Sequence, residues 1–390
     1  MRILIICEHY WPHTDACAKR MRVMAEELIS RNHEVIVVAS KTSILQNDVD
    51  LSEHPEAHYY DTFAMKQKTV LNRLRNNLSE MKNAKSLALS FDRPDVVVCT
   101  TPPLLLTIGA RKVAKKFKAK FVLDVRDIWP DVAYEMGSFS PGGLYGRVFE
   151  RVAQKAYSAA DLITTVSPTK QKHLAAKMKA CQIKVKLAPN GLDLGFLSQI
   201  ERKDIIEKYQ LKVDNPCVYV GNLGLAQGLS TLLSIAEANP SDRFLLFGGG
   251  AEESLLRREI SRLGLSNVQL CGMVDSSGAF TLLKHAGCAY VALKNSRMTD
   301  SVPTKLYEAL GCGCPVLLAA QGDSAAVVSE CKLGLVVPPE DRSALVEAYR
   351  TLRQTDWTEE ARQFSVEHIC NNHSRQQSAK VFADLIEGLK

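Results

Sequence analysis

The sequence predicts an α/β protein with two doubly wound parallel sheets, because short apolar runs alternate with longer amphipathic stretches along its length. Two series of such runs are separated by the turn-forming segment 189–193, Pro-Asn-Gly-Leu-Asp. The chain has 390 residues, which is enough for two domains of ordinary size. We therefore expect two Rossmann-like domains that face a central cleft, with ligands bound beyond the carboxyl ends of the strands.

The two series define predicted domains over residues 1–195 and 196–365, followed by a helical segment over 366–390. The first series predicts strands at 3–7, 35–39, 96–99, 121–123, 162–166 and 185–187, with helices near 17–31, 104–117, 143–159 and 168–179. The second predicts strands at 217–220, 244–247, 268–270, 289–293, 315–318 and 335–337, with helices near 228–238, 252–263, 278–286, 304–311, 324–330 and 342–353. The final stretch, 357–389, is predicted to be helical throughout.

The composition favours an ordinary cytoplasmic globular protein. Apolar residues make up 46% of the chain and charged residues 24%, and no apolar run approaches the ~18–20 residues of a membrane span. The first residues lead directly into an apolar run and predict no signal peptide. The 11 cysteines lack metal-binding spacing, so we expect them to be reduced thiols.

The net charge is +6 at pH 7, and the excess of basic residues lies in the first 195 residues. This asymmetry predicts an anionic partner for the first domain. Nucleic acid is not expected, because the chain shows no helix-turn-helix, zinc or RNA-binding signature. Residues 66–90 predict a basic amphipathic helix with Leu74, Leu78 and Met81 at helical spacing, which could lie on an anionic membrane or pack on the core.

Residues 299–315 are the most informative segment, because a proline stands where a helix would begin. Pro303 lacks an N–H group that would be unpaired there anyway, and the free N–H groups after it favour an anion. Glu308 lies inside the helix, where its carboxylate could accept hydrogen bonds from a sugar diol, and Asp300 precedes it. The pattern predicts a nucleotide-sugar site with a diphosphate at the helix start and a ribose at Glu308.

Two glycine-rich turns of the second domain favour the same site. Gly221, Gly224 and Gly228 follow one predicted strand, and the triple glycine 248–250 follows the next. Glycine lets the backbone approach a phosphate closely, although such turns are often only tight connections. Neither turn carries the dinucleotide fingerprint, which argues against a dehydrogenase.

One stretch of the first domain ends a predicted strand with side chains suited to sugar binding. Trp129 could stack on a sugar ring, while Arg126 and Asp127 could bind hydroxyl groups or an anion. The alternative interpretation is a structural Asp–Arg pair, formed within 124–131, beside a core tryptophan.

The loop after the first strand is a second candidate. His9 and His13 could act as bases or be ordinary loop histidines, and Arg20 could meet a leaving phosphate. The acidic pair in Asp48-Val49-Asp50 mimics a metal-binding motif, but its surroundings predict little regular structure, so we do not expect a metal there.

These motifs resemble the family 4 glycosyltransferases of the GT-B fold, especially the branch that builds bacterial surface polysaccharides and includes O-antigen fucosamine transferases. The similarity covers nearly the whole chain and rests on the order and spacing of the motifs. The matching segments are 2–6, 9–12, 124–130, 166–167, 189–193, 219–228 and 302–308.

The resemblance implies a retaining transfer from a nucleotide sugar that requires no metal and no other cofactor. It places the donor in the second domain and the acceptor in the first, with the last helix returning to the first domain. It implies that Glu308 holds the ribose hydroxyls, that 301–304 present N–H groups to the diphosphate and that 272–274 meet the base. Asp300 falls at the first acidic position of the family's motif.

The sequence departs from the family's pattern at two places. Many members carry Arg and Lys where this chain has Asn222 and Gln227, and the early loop 15–18 lacks the common Gly-Gly pair. Preorganised donors to a leaving group typically contribute ~2.7–4 kcal/mol each, so other cations are needed for the diphosphate. The nearest candidates are Lys294, Arg297 and Lys305, with Arg20 across the cleft.

The expected enzyme is a retaining hexosyl- or N-acetylaminosugar transferase with a UDP-sugar donor. We expect a lipid-linked or saccharide acceptor of O-antigen or capsule synthesis, and action in the cytoplasm, peripherally at the inner membrane. One alternative is a UDP-sugar 2-epimerase on the same fold, which would need no acceptor. Another is a non-catalytic nucleotide-sugar-binding partner in an assembly complex.

The residues expected to carry the function form three groups, and no metal ligand is predicted. The catalytic group is Asp127, Asp300 and Lys305. The donor-binding group is Gly221, Asn222, Gln227, Gly249, Met273, Val274, Lys294, Arg297, Ser301, Val302, Pro303, Thr304 and Glu308. The acceptor-binding group is His9, Trp11, Arg20, Arg126 and Trp129.

Overall fold

The computed structural model describes residues 1–13, 15–44, 51–63, 70–135, 137, 140, 142–178 and 183–389. The chain divides into two compact units: the first contains Met1–Pro189 and the segment from Arg375 onward, and the second contains Asn190–Ser374. The divisions predicted from the sequence lie at 195 and 365. The 48–50 acidic motif and the start of the predicted basic helix, 66–69, lie outside the described residues.

The strands of the first unit are β1 (Arg2–Ile6), β2 (Glu34–Ser40), β3 (Ala57–Tyr60), β4 (Val96–Thr101), β5 (Lys120–Val125), β6 (Leu162–Thr165) and β7 (Lys184–Leu187). They form a parallel sheet in the order β3-β2-β1-β4-β5-β6-β7. Every residue of β4 is buried, as expected of a central strand with both faces covered. The sequence does not predict β3, because Tyr60 is its one buried residue and no apolar run marks it.

The helices of the first unit are α1 (Ala16–Ser30), α2 (Val70–Ala88), α3 (Leu106–Phe117), α4 (Asp131–Glu135), α5 (Leu144–Tyr157), α6 (Pro168–Met178) and α17 (Arg375–Glu387). The last helix, α17, packs against α1. Phe382 of α17 shares a buried apolar cluster with Met21 of α1, and Arg31 Nη1 donates to Asp384 Oδ1 at 2.6 Å. Residues from the two ends of the chain therefore share one core.

The strands of the second unit are β8 (Cys217–Val220), β9 (Phe244–Phe247), β10 (Val268–Gly272), β11 (Cys288–Ala292), β12 (Val316–Ala319) and β13 (Gly334–Val337). They form a parallel sheet in the order β10-β9-β8-β11-β12-β13. The helices are α7 (Leu194–Leu197), α8 (Lys203–Lys208), α9 (Leu211–Asp214), α10 (Ser230–Ala238), α11 (Glu253–Leu263), α12 (Ser276–His285), α13 (Thr304–Gly311), α14 (Asp323–Cys331), α15 (Arg342–Gln354) and α16 (Glu359–Asn372).

The predicted architecture of two doubly wound parallel sheets is confirmed. The prediction of one helical stretch over 357–389 is wrong at a single point, because α16 and α17 are separated at His373 and Ser374. There His373 O accepts from Leu192 N at 2.8 Å, and Ser374 forms a parallel bridge with Leu192. Among the described helices, none combines the length and the apolar character that crossing a membrane requires.

Candidate functional site

Helix α13 begins where the sequence predicts, directly after Pro303. Pro303 has an extended backbone and provides no side-chain cap, and its carbonyl oxygen accepts from Leu306 N at 3.0 Å. The preceding loop is held from another helix, because Ser324 Oγ donates to Ser301 O at 2.6 Å and Asp323 N donates to Thr299 O at 2.8 Å. An anion would therefore meet a helix start that is already fixed in position.

Lys305 lies in the first turn of α13 and makes three contacts with groups of β8 and the loop after it. Its Nζ donates to Tyr219 Oη at 2.5 Å and to Gln227 Oε1 at 2.7 Å, and it lies 4.0 Å from the centre of the Tyr219 ring. Burial lowers the pKa of Lys305 to about 7, although the Glu308 charge acts to raise it. Lys305 thus places a titratable cation beside Gln227, which with Asn222 is one of the two neutral side chains noted in the sequence.

The two glycine-rich turns pack backbone to backbone at the carboxyl ends of β8 and β9. Leu223 N donates to Gly249 O at 3.0 Å, and a Cβ placed on Gly248 would lie 1.9 Å from Gly221 O. Gly248 also has a φ of +140°, so only glycine fits there. A Cβ on Gly221 would lie 3.1 Å from Lys305 Nζ, which places both turns beside the start of α13.

The two acids of the predicted motif differ in their surroundings. Asp300 is half-buried and accepts a hydrogen bond from Ser301 Oγ at 3.3 Å. Glu308 is also half-buried, but no hydrogen bond from another described residue reaches its carboxylate. Glu308 therefore has acceptor capacity available for a ligand, whereas Asp300 is engaged with its own loop.

The residues after β10 place one side chain beside the glycine turns. Met273 is 81% exposed, and its sulfur would lie 3.4 Å from a Cβ on Gly249. Val274 instead packs toward the start of α12, where its Cγ2 would lie 2.2 Å from a Cβ on Gly278. Of this pair, Met273 is the side chain that can contact a ligand at this edge of the sheet.

The other predicted cations lie in the loop after β11. Lys294 N donates to Ala226 O at 2.9 Å, which joins this loop to the first glycine turn. Burial raises the pKa of Glu252, and the Lys294 charge acts against that rise. Arg297 is exposed, and its side chain makes no ion pair with a residue that the structure describes. Lys305, unlike these two, is hydrogen-bonded to Gln227.

Three further residues of the predicted donor group have contacts of their own. Asn222 is exposed, and its Oδ1 would lie 2.6 Å from a Cβ on Gly250. Val302 packs against the core of the second unit. Asn190 Nδ2 donates to Thr304 Oγ1 at 3.3 Å. None of these contacts involves the backbone N–H groups to which the resemblance assigns the diphosphate, so that role stays a prediction.

In the first unit, Arg20 forms a buried ion pair. Its Nε and Nη2 donate to the two carboxylate oxygens of Asp124 at 3.0 and 2.8 Å, and its guanidinium also donates to Ala188 O and Pro189 O. Burial acts to raise the pKa of Asp124, but the Arg20 charge, the hydrogen bonds from Arg20 and Thr164 and the Arg126 charge together lower it. This arrangement favours a structural role for Arg20, which the sequence analysis expected to meet an anion.

Arg126 and Asp127 follow β5 and are both half-buried. Arg126 donates from Nε to Thr100 Oγ1 at 3.1 Å and from Nη2 to Pro102 O at 2.7 Å. Asp127 Oδ1 lies 3.9 Å from the buried Nζ of Lys170. The structural Asp–Arg pair considered above exists at Asp124, but its partner is distant in the sequence, and Asp127 keeps an exposed carboxylate edge.

The two tryptophans of the predicted acceptor site are half-buried. The Trp129 ring lies 5.8 Å from that of Phe149, measured between ring centres. The Trp11 ring lies 4.6 Å from that of His54, and Trp11 O accepts a hydrogen bond from Tyr59. Both rings are held by neighbours while keeping part of their surface in solvent.

His9 and His13 form one cluster with Asp15 at the carboxyl end of β1. His9 Nδ1 lies 2.5 Å from Asp15 Oδ2, and the two histidine rings stack at 4.2 Å. Burial acts to lower the pKa of His9, but the Asp15 hydrogen bond together with the charges of Glu8, Asp15 and Glu80 raises it. Asp15 Oδ1 also accepts from Ala18 N at 2.7 Å and caps α1. Asp15 thus orients His9 and starts the helix where many family members have glycine.

Glu80, which lies on the buried face of α2, is not among the residues predicted from the sequence. It is 2% exposed, its Oε1 accepts from Asn76 Nδ2 at 2.8 Å, and its Oε2 has no hydrogen-bond partner among the described residues. Burial, followed by the Glu8 charge, raises the pKa of Glu80 to about 7. A single Glu in an amphipathic helix is an ordinary surface pattern, so no sequence signal distinguishes it.

The described part of the predicted basic helix packs against a neighbouring helix. A Cβ placed on Gly109 of α3 would lie 2.8 Å from Met81 O of α2, and Leu78 is 45% exposed. This contact favours the interpretation of α2 as a core-packed helix. A different surface combines apolar and basic side chains: α5 exposes Leu144, Tyr145, Arg147, Val148, Arg151 and Lys155, and α3 adds Arg111 and Lys112 beside Lys155.

Two family models match the chain. Residues 18–196 match the model described as Glycosyltransferase Family 4, and residues 215–355 match the model described as Glycosyl transferases group 1. The first model covers most of the first unit, and the second covers the sheet, the glycine turns and α13 of the second unit.

Individual proteins show the same similarity. The chain is 25% identical over 249 residues to the O-antigen chain mannosyltransferase C of Escherichia coli, a match that covers 62% of this chain and 65% of that relative, just under two thirds. Sucrose-phosphate synthase from Thermosynechococcus elongatus has a TM-score of 0.80 at 19% identity, covering 100% of this chain and 99% of its own. Anabaena HepE in complex with UDP-glucose has a TM-score of 0.74 at 16% identity, with 100% of both chains covered. At such identities the two structures establish the shared fold.

Proposed function

Because the chain belongs to the family 4 glycosyltransferases, we propose that it transfers a sugar from a nucleoside-diphosphate sugar to a saccharide acceptor of bacterial surface-polysaccharide synthesis. The second unit holds the donor and the first unit holds the acceptor. The observation that carries the proposal is the bonding of Lys305 to Gln227 beside the glycine turns and the start of α13.

This arrangement suits a diphosphate for two reasons. The start of α13 and the glycine turns allow close approach of backbone N–H groups, which favour phosphate oxygens. The Lys305 ammonium adds the positive charge that the neutral Asn222 and Gln227 do not provide. When a phosphate arrives, its negative charge favours the protonated form of Lys305, so binding and protonation reinforce each other.

The transfer proceeds with retention and uses no protein nucleophile. The bond between the anomeric carbon and the diphosphate oxygen breaks while the acceptor oxygen approaches the same face of the sugar. The leaving diphosphate takes the acceptor's proton, so the products are the glycoside and the nucleoside diphosphate. Lys305 and the start of α13 stabilise the charge that develops on the leaving group, and Glu308 holds the ribose hydroxyls. Asp127 orients the acceptor.

The acceptor is a lipid-linked saccharide at the cytoplasmic membrane face. The exposed Leu144, Tyr145 and Val148, with the basic side chains of α5 and α3, combine apolar insertion with attraction to anionic lipid. We expect the protein to cosediment with anionic vesicles at low salt, and the L144S/V148S variant to lose most of that binding. The matched control is Val213→Ser, which alters a residue of similar exposure in the second unit.

The decisive experiment is an assay of donor turnover with purified protein. UDP-, GDP- and ADP-sugars are offered with and without lipid-linked saccharides, and the anomeric configuration of the product is read by NMR. We expect transfer from a UDP-sugar with retention and full activity in EDTA; the UDP-glucose complex of HepE motivates the choice of nucleotide. Dependence on added Mn²⁺ would contradict the metal-free mechanism.

The same assay distinguishes the two alternatives. Release of a 2-epimerised UDP-sugar without any acceptor would identify an epimerase. Nucleotide binding, measured as a thermal shift, without transfer to any acceptor would identify a non-catalytic partner of an assembly complex.

A further inference from the structure

A second cluster of side chains lies in the second unit, away from the glycine turns. Glu330 stands in the last turn of α14, His368 in α16 and His373 directly after α16. Glu330 Oε2 lies 3.0 Å from His373 Nε2 and 3.4 Å from His368 Nε2. One ligand atom from each of the three residues lies within 4.8 Å of the others.

These separations are close to those of a tetrahedral metal site. Ligand atoms about 2.0–2.2 Å from Zn²⁺ at tetrahedral angles lie roughly 3.3–3.6 Å apart. The two carboxylate–imidazole separations are thus within a few tenths of an ångström of these values, and the third separation, between the two histidines, is at most 4.8 Å. The cluster of His9, His13 and Asp15 differs, because its shortest contact is 2.5 Å, well below the separation of two metal ligands, and Asp15 also caps α1.

The two histidines are held in place before any ion binds. The His368 ring stacks near Phe364, with ring centres 5.9 Å apart, and its Nδ1 lies 3.3 Å from the Asn372 amide. The Asn372 Nδ2 group also donates to His368 O at 3.1 Å, so this amide restrains the His368 ring from one side. His373 is fixed through its backbone, because its carbonyl oxygen accepts from Leu192 N at 2.8 Å.

The cluster also leaves room for additional ligands. The side chains of Glu330, His368 and His373 retain 50%, 23% and 18% of their exposure. Three protein ligands with an open side can be completed by water. Two imidazoles and one carboxylate suit Zn²⁺, Cu²⁺, Ni²⁺ or Co²⁺, whereas Mg²⁺ and Ca²⁺ prefer oxygen ligands.

We propose that Glu330, His368 and His373 bind a transition-metal dication of the Zn²⁺ type, which fastens α14 to the end of α16 just before the chain passes into the first unit. The site is structural and takes no part in sugar transfer, so it does not rest on the proposed function. Tyr307, whose ring centre lies 5.5 Å from that of His373, connects it to the helix that carries Glu308.

The test uses the full chain, stripped of metal with a chelator that is then removed. Zn²⁺ is titrated against a chromophoric competitor, and Co²⁺ is used as a spectroscopic probe of the ligand set. We expect one-to-one Zn²⁺ binding with a rise in thermal stability, and a Co²⁺ spectrum without thiolate charge transfer. Mg²⁺ at the same concentration should produce no shift.

The Zn²⁺ affinities of three variants and one control test whether the ion binds at this cluster. Glu330→Gln, His368→Asn and His373→Asn should each weaken Zn²⁺ binding at least about tenfold, since even the outer partners of metal ligands contribute that much. His285→Asn is the matched control, because His285 pairs with a single carboxylate, Glu201, at 2.7 Å. Equal affinity in all four variants, or a thiolate band in the Co²⁺ spectrum, would overturn the proposal, as would absence of binding in the unmodified chain.

Discussion

The carboxyl edges of the two sheets are built in different ways. In the second unit the strand ends lead into glycine turns that pack on each other's backbone, and the buried ammonium of Lys305 is bonded to neutral oxygens. In the first unit the same edge carries ionisable side chains: Arg20 paired with Asp124, and Glu80 near Glu8.

The two edges therefore suit different kinds of ligand. Backbone N–H groups at glycine turns and at a helix start suit a phosphate, which presents only acceptors and needs close approach. A partly exposed side chain such as that of Asp127 suits the hydroxyl groups of a saccharide, whereas the buried Arg20, Asp124 and Glu80 are not accessible to one. The following variants each alter one edge, and the largest expected effect comes first.

Glu308→Ala tests whether the edge of the second unit holds a nucleotide sugar. Two hydrogen bonds from ribose hydroxyls to a charged acceptor contribute about 1.5–3 kcal/mol each, so kcat/KM for the donor should fall about a hundredfold or more. Steady-state kinetics measure this, with the exposed Glu347→Ala on α15 as the control. Near wild-type kinetics would refute the assignment of the ribose to Glu308.

Arg20→Met tests whether the charges of the first edge are structural. Removing one partner of a buried ion pair typically costs 3–5 kcal/mol, so the urea-induced unfolding of the first unit should occur at a clearly lower midpoint. Arg20→Met combined with Asp124→Leu should recover part of the loss, because no unpaired carboxylate remains. Normal stability with lost activity would instead show that Arg20 acts on a ligand.

Lys305→Gln tests the edge of the second unit through the pH dependence of UDP binding. Because burial lowers the pKa of Lys305 to about 7, the lysine loses its charge as pH rises through that value, and the affinity for UDP should fall. At pH 6 the binding free energy of UDP should be about 2.7–4 kcal/mol less favourable for the variant than for the wild type. Isothermal titration of both proteins from pH 6 to 9 isolates the lysine, since the titration of UDP itself is common to both.

The Lys305 experiment has a matched control and a clear negative outcome. Lys284→Gln removes an exposed lysine that pairs with Glu201 and should leave UDP affinity unchanged. If the wild type and Lys305→Gln show parallel pH profiles, the cation that serves the diphosphate is another residue, with Lys294 and Arg297 next to be tested.

Glu80→Gln tests the buried acid of the first edge. Its pKa is raised from the ordinary value of 4.5 to about 7, so the folded state binds its proton more tightly than the unfolded state. Wild-type stability should therefore decline as pH rises from about 4.5 to about 7, by up to roughly 3 kcal/mol from this group. The variant lacks this decline, so its free energy of unfolding should rise relative to that of the wild type between about pH 4.5 and 7. Urea titrations at several pH values measure this. If the free energy of unfolding of both proteins changes equally with pH, the assignment is contradicted.

The second edge could be predicted because its signals are local. Pro303 marks the start of α13, and Gly221 and Gly248 mark turns directly after apolar runs. The partner of Lys305 could not be predicted in this way, because Tyr219 belongs to a strand far away in the sequence. The parallel sheet brings such residues together, and their spacing along the chain does not predict that contact.

The first edge was harder to predict for the same reason. The sequence predicts an Asp–Arg pair within 124–131, but the fold joins Asp124 of β5 to Arg20 of α1. In α2 the apolar spacing pointed to Leu78, whereas the packed face carries Glu80. Burial of a polar residue depends on which neighbouring helix covers it, and an amphipathic pattern does not contain that information.

The contact between Gly248 and the carbonyl oxygen of Gly221 limits how this protein can be re-engineered. No substitution at Gly248 leaves the turn intact, so a mutant library directed at this position would return mainly misfolded chains. The flexible thioether of Met273 stands beside the same turn with most of its surface free. Saturation mutagenesis of Met273 is therefore the experiment in which an altered preference for the nucleobase should be sought.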